Sequence, residues 1–418
     1  TESFADAWRL AEPDVAAKVS GAHRAKYVYG AQRDKLRYLA EKDIARARAT
    51  VELVRKHDPD HPVTVGSHQL FYNPARLGWD VGEREPVAGE VDRPLYMQAR
   101  LTRDYFKGGW TSAYETTGGP VQYSGGYGVG MSAGLMRRMA LSYLAAGNLN
   151  IAFWTWNHRP GCWEAGEYGL TSLSGRLTPW AREAGKVARG IQRYHQELWE
   201  ATAEPRVGIV QSWDTEAVLT LEPQRHDLSD GPTELSRGTQ TQARRAQIGA
   251  ARAMINAHVP FEYVTAPELA EGIGAVYPTL IVPHARAVSS EFVEVLASYV
   301  KAGGRVIADV QFAFVDPWGK CHTAGEGGPQ ERLLGAWVDA IHDARTCPMQ
   351  LGEMEIEGFF ADIVPTKAKV LARFADGRPA VTEHRKGRGT AVLLGFDAAR
   401  MCHRPGRHAT EELLAALV

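Results

Sequence analysis

Carboxylates and aromatic rings concentrate in two short segments of this sequence, and together they indicate carbohydrate chemistry. Glu115 ends a strand-like run that begins at Thr111, and a Gly-Gly-Pro turn follows shortly after it. A second strand-like run, Leu149–Trp156, is followed by Glu164 and Glu167. A strand that ends in a glutamate and opens into a loop is how a β/α barrel presents a catalytic carboxylate. Flat rings beside carboxylates suit a sugar ring and the positive charge of its transition state.

Glu115 is the candidate nucleophile. In retaining glycosidases such a carboxylate attacks the anomeric carbon and forms a glycosyl-enzyme, about 5–5.5 Å from a second carboxyl group. Because a nucleophile must stay ionised, we expect hydrogen-bond donors around Glu115. From the pattern alone, a surface glutamate at a strand end is the alternative interpretation.

Further residues are candidates for binding the sugar. Glu164 is expected to accept hydrogen bonds from sugar hydroxyls, whereas Glu167 could bind a hydroxyl or pair with Arg159. Trp154 and Trp156 are two positions apart, so on a strand they face the same side, and Trp156 is a candidate sugar platform. His68 is the last residue of the strand-like run Val63–His68, at the end where a barrel binds its ligand. Each of these side chains could instead be a packing or solvent-exposed residue.

The bulk composition is that of an ordinary globular protein. The chain has 418 residues, 44% apolar and 23% charged, with a formal net charge of -1. This charge argues against nucleic acid or a membrane surface as the main partner, and no apolar stretch approaches the roughly 20 residues that span a bilayer. The four cysteines are far apart and form no C-x-x-C pair. We therefore predict reduced thiols in a cytoplasmic protein, without a zinc site or a disulfide framework.

Helices and strands alternate through residues 1 to about 205, which predicts parallel strands with crossover helices. After the linker Ala203-Glu204-Pro205, a similar alternation predicts a flavodoxin-like doubly wound sheet, and the end of the chain is more β-rich. The predicted strands of the first part are 63–68, 111–115 and 149–156, and its helices are 24–57, 96–106, 132–146 and 179–200. The predicted strands of the second part are 206–211, 261–264, 279–283, 305–309, 369–374, 380–382 and 390–394, and its helices are 242–258, 290–302 and 410–418.

With these residues the chain resembles glycoside hydrolase family 42, the clan A β-galactosidases. Tyr114-Glu115-Thr116 is similar to the seventh-strand motif that carries the family's nucleophile, and Gly130–Gly147 is similar to the helix that follows. Phe153–Glu167 resembles the eighth strand and its sugar-binding segment. Beyond Pro205 the chain resembles the family's second domain, which has a class I glutamine-amidotransferase-like fold and builds a trimer.

The resemblance implies an α/β protein in two domains. Residues 1–203 would be the C-terminal portion of a (β/α)8 TIM barrel, and residues 206–418 a flavodoxin-like, amidotransferase-like trimerisation domain. The implied activity is that of a retaining β-galactosidase on a small carbohydrate, as a homotrimer. No cofactor is expected, because carboxylates supply acid, base and nucleophile. The family's acid/base glutamate is expected upstream of Thr1.

Two positions differ from the family's pattern, and they leave alternatives open. Glu167 stands where the family has His, and Asn157 follows Trp156 where the family has Arg. Because these positions touch sugar hydroxyls, an arabinoside, fucoside or mannoside is an alternative substrate. A non-catalytic carbohydrate-binding or assembly protein is the alternative from another class. The second domain is interpreted as scaffold, because the strand at 280–282 leads into Pro283-His284-Ala285 without the cysteine that amidotransferase chemistry needs.

Overall fold

The protein has an α/β fold with mixed sheets. A computed structural model describes residues 21–61, 63, 71–72, 92–105, 111–121, 130–162, 164–201, 204–221, 242–404 and 406–418. His68 and nearly all of the strand predicted at 63–68 lie outside the described residues. The chain divides into two compact units, one of residues 1–67, 210–247 and 265–401 and the other of 68–209, 248–264 and 402–418. The predicted domain boundary between residues 203 and 206 stays a prediction.

The first half of the chain forms a parallel sheet with helices between its strands. The sheet order is β1-β2-β3, and both pairings are parallel. The pairing of β2 with β3 confirms the prediction of parallel strands, whereas β1 was not predicted from the sequence. The predicted helix at 179–200 is divided at Tyr194. The elements are α1 (Gly21–His57), β1 (Phe71–Tyr72), α2 (Asp92–Tyr105), β2 (Ser112–Thr117), α3 (Ala133–Ala145), β3 (Asn150–Trp154), α4 (Pro179–Arg193) and α5 (His195–Glu200).

Helix α3 shows how the sequence builds this region. The Ser132 side chain accepts a hydrogen bond from the backbone N–H of Leu135, which caps the first turn. Met136, Met139 and Tyr143 are spaced three and four residues apart, so they share one face, and all three are buried. They join one apolar core with residues of α2, β2 and α4. The core therefore supports β2 from the α3 side.

A seven-stranded mixed sheet dominates the rest of the chain, in the order β12-β13-β14-β7-β6-β4-β5. β6, β7 and β14 are parallel to one another, whereas β12, β13 and β14 are antiparallel. The strands are β4 (Val207–Gln211), β5 (Phe261–Thr265), β6 (Thr279–Val282), β7 (Arg305–Ala308), β8 (Ala336–Asp343), β9 (Gln350–Leu351), β10 (Met354–Glu355), β11 (Phe359–Pro365), β12 (Lys369–Arg373), β13 (Pro379–Lys386) and β14 (Gly389–Leu394). The helices are α6 (Trp213–Leu221), α7 (Gln242–Asn256), α8 (Ala266–Ala270), α9 (Ser290–Ala302), α10 (Pro329–Leu334), α11 (Ala398–Met401) and α12 (His408–Ala416), with a 3₁₀ turn at Ile273–Val276.

Two antiparallel pairs lie beside this sheet and were not predicted from the sequence. β8 pairs with β11, with a register shift between Asp362 and Ile363, and β9 pairs with β10. The strands that were predicted in this region, at 369–374, 380–382 and 390–394, correspond to β12, β13 and β14.

Candidate active site

Glu115 lies on β2 at an irregularity in its pairing with β3. Between the pairs Ala113–Ile151 and Thr116–Phe153, β2 advances by three residues and β3 by two. An extra residue on one strand is a β-bulge, which bends the strand and takes side chains out of their regular alternation. The direction of the Glu115 side chain is therefore set by the bulge as well as by the strand.

The residue after Glu115 is fixed from α3. The Tyr143 hydroxyl donates a hydrogen bond to Thr116 Oγ1 at 2.7 Å, and both residues are buried. Thr116 Oγ1 in turn lies 3.6 Å from the sulfur of Met139. Burial raises the pKa of Tyr143 well above its ordinary value, so its hydroxyl stays protonated and remains a donor. The carboxyl end of β2 is thus held against the buried face of α3.

The glycines after β2 let its turn approach the segment that follows β3. The N–H of Gly118 donates to the carbonyl of Trp154 at 2.8 Å, and the N–H of Tyr168 donates to the carbonyl of Pro120 at 3.0 Å. A Cβ on Gly119 would lie 2.2 Å from the carbonyl oxygen of Gly169, far inside van der Waals contact. The close approach therefore requires glycine at this position.

Glu164 is held by an indole and a guanidinium. Trp154 Nε1 donates to Glu164 Oε2 at 3.3 Å, and Arg159 Nη1 donates to the same oxygen at 3.0 Å. The Arg159 guanidinium carbon also lies 5.7 Å from the centre of the Trp154 ring. The sequence allowed Arg159 to pair with Glu167; in the structure Arg159 pairs with Glu164 instead. Both contacts are made to the same oxygen of Glu164, Oε2.

The structure brings Glu115 and Glu164 into electrostatic contact. Burial raises the pKa of Glu115, and the negative charge of Glu164 raises it further. The hydrogen-bond donors that we expected around Glu115 are not found among the described residues. The site therefore pairs a nucleophile candidate with a second carboxylate whose charge is partly neutralised by Arg159.

The remaining predicted residues occupy different environments. Trp156 is 61% exposed, whereas Trp154 is 37% exposed and its ring also contacts Glu164 and Arg159. Asn157 is exposed, and its Oδ1 accepts a hydrogen bond from Thr171 Oγ1 at 3.0 Å. Glu167 is only 2% exposed, so its carboxylate is much less accessible than that of Glu164.

Sequence analysis missed Tyr143, which positions the strand that carries Glu115. The available signal was its spacing from Met136 and Met139, which marks it as a buried residue of α3. The sequence cannot indicate that its hydroxyl reaches Thr116, because the two residues are 27 positions apart.

No metal-ligand group surrounds Glu115 among the described residues. Within the described residues, a group of three potential metal ligands lies elsewhere and consists of His284, Asp309 and Asp397. Across the same residues, none of the helices combines the length and the apolar character that a membrane span requires.

The second half of the chain decides the family. Residues 206–418 match the β-galactosidase trimerisation domain, a domain family of glycoside hydrolase family 42. The chain belongs to this family. The resemblance drawn from the sequence is thereby confirmed.

Two β-galactosidases and a mannosidase are among the known proteins that are similar to this chain. The curated β-galactosidase LacA of Lactobacillus acidophilus is 26% identical over 128 residues, which is 28% of this chain and 19% of LacA. A crystal structure of a family 42 β-galactosidase from G. stearothermophilus has a TM-score of 0.74 at 16% identity, over 99% of this chain and 63% of that one. An exo-β-1,4-mannosidase from an Opitutaceae bacterium has a TM-score of 0.58 at 16% identity, over 97% of this chain and 70% of that one.

This chain therefore spans only part of the length of these two β-galactosidases. The matched part is 19% of LacA and 63% of the crystal structure. The likeness to the solved structures supports the fold.

Proposed function

We propose that this chain belongs to a retaining glycoside hydrolase that acts on β-galactosides or a related β-glycoside, with Glu115 as the nucleophile. The observation that carries the proposal is the placement of Glu115 at a bulge near the carboxyl end of β2, within electrostatic reach of Glu164. We further propose that β1, β2 and β3 belong to a (β/α)8 barrel over residues 1–203. Residues 206–418 would form the flavodoxin-like, amidotransferase-like domain.

In the proposed reaction, a Glu115 oxygen attacks the anomeric carbon while the bond to the leaving-group oxygen breaks. The leaving oxygen takes a proton from an acid/base carboxyl, which we assign to none of the residues of this chain. Water then attacks the anomeric carbon of the glycosyl-enzyme and gives its proton to that same acid/base group. Glu115 leaves as a carboxylate, so the anomeric configuration is retained.

Glu164 has the role of positioning the sugar. Its oxygen that is free of Arg159 and Trp154 would accept a hydrogen bond from a ring hydroxyl, and the two contacts keep that oxygen in place. Trp156, which is 61% exposed, would provide a flat surface for the sugar ring. Glu167 and Asn157 are proposed to influence which sugar is accepted.

Trapping the glycosyl-enzyme tests the nucleophile. The natural full-length protein containing this chain is incubated with a dinitrophenyl 2-deoxy-2-fluoro-β-galactoside. The intact mass is then measured, and the labelled protein is mapped by its peptides. We expect one adduct, on the peptide that contains Glu115. The leaving group needs little protonation, so labelling depends on the nucleophile rather than on the acid. Glu115→Gln should abolish the adduct, and the exposed Glu200→Gln variant should retain it.

The absence of a labelled product would contradict the proposal. If folded wild-type protein gives no adduct with the galacto reagent or with the gluco, manno and arabino reagents, the hydrolase proposal is wrong. An adduct on a different carboxylate would retain the hydrolase and remove Glu115 from its role.

A β-mannoside is the second substrate class to be compared. This chain covers 70% of the mannosidase chain in its solved structure, and Glu167 and Asn157 differ from the pattern of family 42 at positions that touch sugar hydroxyls. Faster labelling by the manno than by the galacto reagent would assign the site to mannosides.

We also propose that the protein is a homotrimer, because residues 206–418 match a trimerisation domain. Light scattering after size-exclusion chromatography of the natural full-length protein should give three times the mass of one chain. A monomer at micromolar concentration would contradict the proposal.

A further inference from the structure

Three ionisable residues converge at the carboxyl ends of the parallel strands β6, β7 and β14. His284 lies two residues after β6, Asp309 directly follows β7, and Asp397 lies three residues after β14. The pairing of these strands in parallel brings their carboxyl ends to one edge of the sheet. In open α/β sheets this edge is where ligands bind.

The three side chains are close enough to share one ion, and they are shielded from water. One ligand atom from each residue lies within 4.8 Å of the other two. His284 and Asp309 are each 3% exposed and Asp397 is 0% exposed. The His284 Nδ1 and Asp397 Oδ1 atoms are 3.4 Å apart. Two ligands of a tetrahedral ion with bonds of about 2.0–2.1 Å are separated by about 3.3–3.5 Å, which matches this distance.

Among the residues that the structure describes, two of the ligand atoms find no hydrogen-bond partner. They are His284 Nδ1 and Asp397 Oδ1, and both are buried. A buried polar atom without a partner is costly, so each such atom requires an explanation. The geometry of a bound ion supplies one, because the lone pairs of both atoms would be used in coordination.

The other oxygens of the cluster are held in place by neighbouring groups. The backbone N–H of His284 donates to Asp309 Oδ2 at 2.6 Å, and that of Gln311 donates to Asp309 Oδ1 at 3.1 Å. Arg400 Nε donates to Asp397 Oδ2 at 3.1 Å. Hydrogen bonds of this kind orient carboxylates that bind metals, and each carboxylate oxygen keeps a second lone pair for coordination.

The charge of the cluster favours a bound cation. Arg400 is the cation next to Asp397, and its Nε contacts only the Oδ2 atom. A metal ion between the three side chains would balance the charge that the two carboxylates bring into this buried site. A charge-assisted N–H···O bond measures about 2.7–2.9 Å, so the 3.4 Å between His284 Nδ1 and Asp397 Oδ1 is too long for a tight imidazolium–carboxylate pair.

We propose that His284, Asp309 and Asp397 bind one divalent transition-metal ion that ties together the ends of β6, β7 and β14. One imidazole and two carboxylates suit Mn²⁺, Fe²⁺ or Zn²⁺, which accept both nitrogen and oxygen ligands. The site is structural and lies in the residues that match the trimerisation domain. It does not depend on the proposed glycosidase activity.

Titration with Mn²⁺ tests this site on the full chain. The protein is dialysed against EDTA and then against metal-free buffer, and free Mn²⁺ is followed by electron paramagnetic resonance. Mn²⁺ is the probe because thiolates prefer softer ions, and Cys162, Cys321 and Cys347 are exposed. We expect about one Mn²⁺ per chain and a ¹⁴N modulation from the imidazole in the pulsed spectrum. Zn²⁺ should displace the bound Mn²⁺.

Two ligand variants and one matched control make the test specific. His284→Ala and Asp397→Asn should weaken Mn²⁺ binding at least 100-fold, and His284→Ala should remove the ¹⁴N modulation. His342→Ala is the control, because His342 also contacts an aspartate, Asp362, but has no second carboxylate beside it in a group of potential ligands. This variant should bind Mn²⁺ as the wild type does.

Two results would overturn the proposal. One is folded wild-type chain that binds no stoichiometric Mn²⁺ or lacks the ¹⁴N modulation. The other is His284→Ala protein that keeps the wild-type affinity. The wild-type spectrum decides the question even if a ligand variant fails to fold.

Discussion

Glu115 is positioned by its backbone and its neighbours in the chain. The bulge in β2 and the buried bond between Tyr143 and Thr116 fix the strand around it, whereas its carboxylate has an electrostatic neighbour, Glu164, that opposes its ionisation. A nucleophile with a raised pKa is protonated over a wider range of acid pH. Its reactivity should therefore depend on the charge of Glu164.

Removing that charge should extend activity to lower pH. In Glu164→Gln the repulsion that raises the pKa of Glu115 is absent, so Glu115 stays ionised further into the acid range. The acid limb of the pH profile of kcat/KM, measured with a dinitrophenyl glycoside on the natural full-length protein, should move to lower pH. Its plateau should fall because Glu164 no longer accepts the sugar hydroxyl.

The exposed Glu200→Gln variant provides the control for that profile, and its acid limb should not move. An acid limb that stays in place or moves to higher pH in Glu164→Gln would show that Glu164 does not influence the ionisation of the nucleophile.

The bond between Tyr143 and Thr116 should contribute to catalysis as well as to stability. In Tyr143→Phe the strand loses its buried hydrogen bond, at a cost of about 0.5–1.5 kcal/mol in the free energy of unfolding. A small displacement of Glu115 should lower kcat several-fold with little change in KM. Denaturant unfolding and steady-state kinetics measure the two effects.

Tyr299→Phe is the matched control for Tyr143→Phe. Tyr299 also donates a hydroxyl hydrogen bond, to the carbonyl of Tyr277 at 2.8 Å, but it lies on α9, among the residues that match the trimerisation domain. It should lose similar stability and keep its kcat. If both variants keep full kcat, the bond to Thr116 is structural only.

The sequence was enough to propose the carboxylates of the candidate site, but it did not indicate their partners. Glu115, Glu164 and the tryptophans stand out locally, because residue type and strand position already indicate their chemistry. Arg159 could be assigned to either glutamate, and the choice depends on how the loop after β3 folds. Whether hydrogen-bond donors surround Glu115 also depends on tertiary contacts, and the spacing of residues along the chain does not predict these.

At the scale of elements, strong hydrophobic periodicity and clear caps made most helices and strands predictable. α3 begins at the Ser132 cap and ends before Gly147, and α9 ends at Gly303, as the sequence indicated. β8 and β11 escaped prediction because they alternate weakly: in β8, polar residues such as Asp339 and His342 interrupt the apolar run, and only two of its residues are buried. Their pairing with each other stabilises them.

The turn after β2 requires glycine at position 119, where it contacts the segment after β3. In Gly119→Ala the new methyl group would lie 2.2 Å from the carbonyl oxygen of Gly169, so the turn and the segment after β3 must separate. We expect a loss of about 1–3 kcal/mol or more in the free energy of unfolding, and a larger fractional loss of kcat than of stability. Thermal unfolding and kinetics measure both.

Gly161→Ala is the control for this substitution, since a Cβ there meets nothing within 4 Å. It lies in the segment after β3, on the other side of that contact, and should be close to wild type in both measurements. A Gly119→Ala variant with unchanged stability would mean that the turn and the 168–170 segment can move apart at no cost.

At the scale of the molecule, α1 belongs to the same compact unit as residues 210–247 and 265–401. Arg33 of α1 makes an ion pair with Asp214 at 2.6 Å, and its guanidinium carbon lies 5.3 Å and 4.2 Å from the ring centres of Trp213 and Trp318. The sequence placed α1 with the strands that follow it. It could not indicate the contact between Arg33 and Asp214, which are 181 positions apart, because the sequence of α1 has the pattern of an ordinary amphipathic helix.

This contact should contribute much of what holds α1 in its unit. Arg33 is 5% exposed but Asp214 is partly exposed, so Arg33→Ala would remove a partly buried ion pair and two cation–π contacts, and it would leave a space between two indole rings. We expect a loss of about 2–4 kcal/mol in the free energy of unfolding, measured with urea, together with faster proteolysis within α1. Arg37→Ala, one turn further along the same helix, removes an exposed pair with Glu41 and should cost less than about 0.5 kcal/mol. Equal losses in the two variants would mean that the indole–guanidinium cluster contributes no more than a surface ion pair, and that α1 is held by its apolar contacts instead.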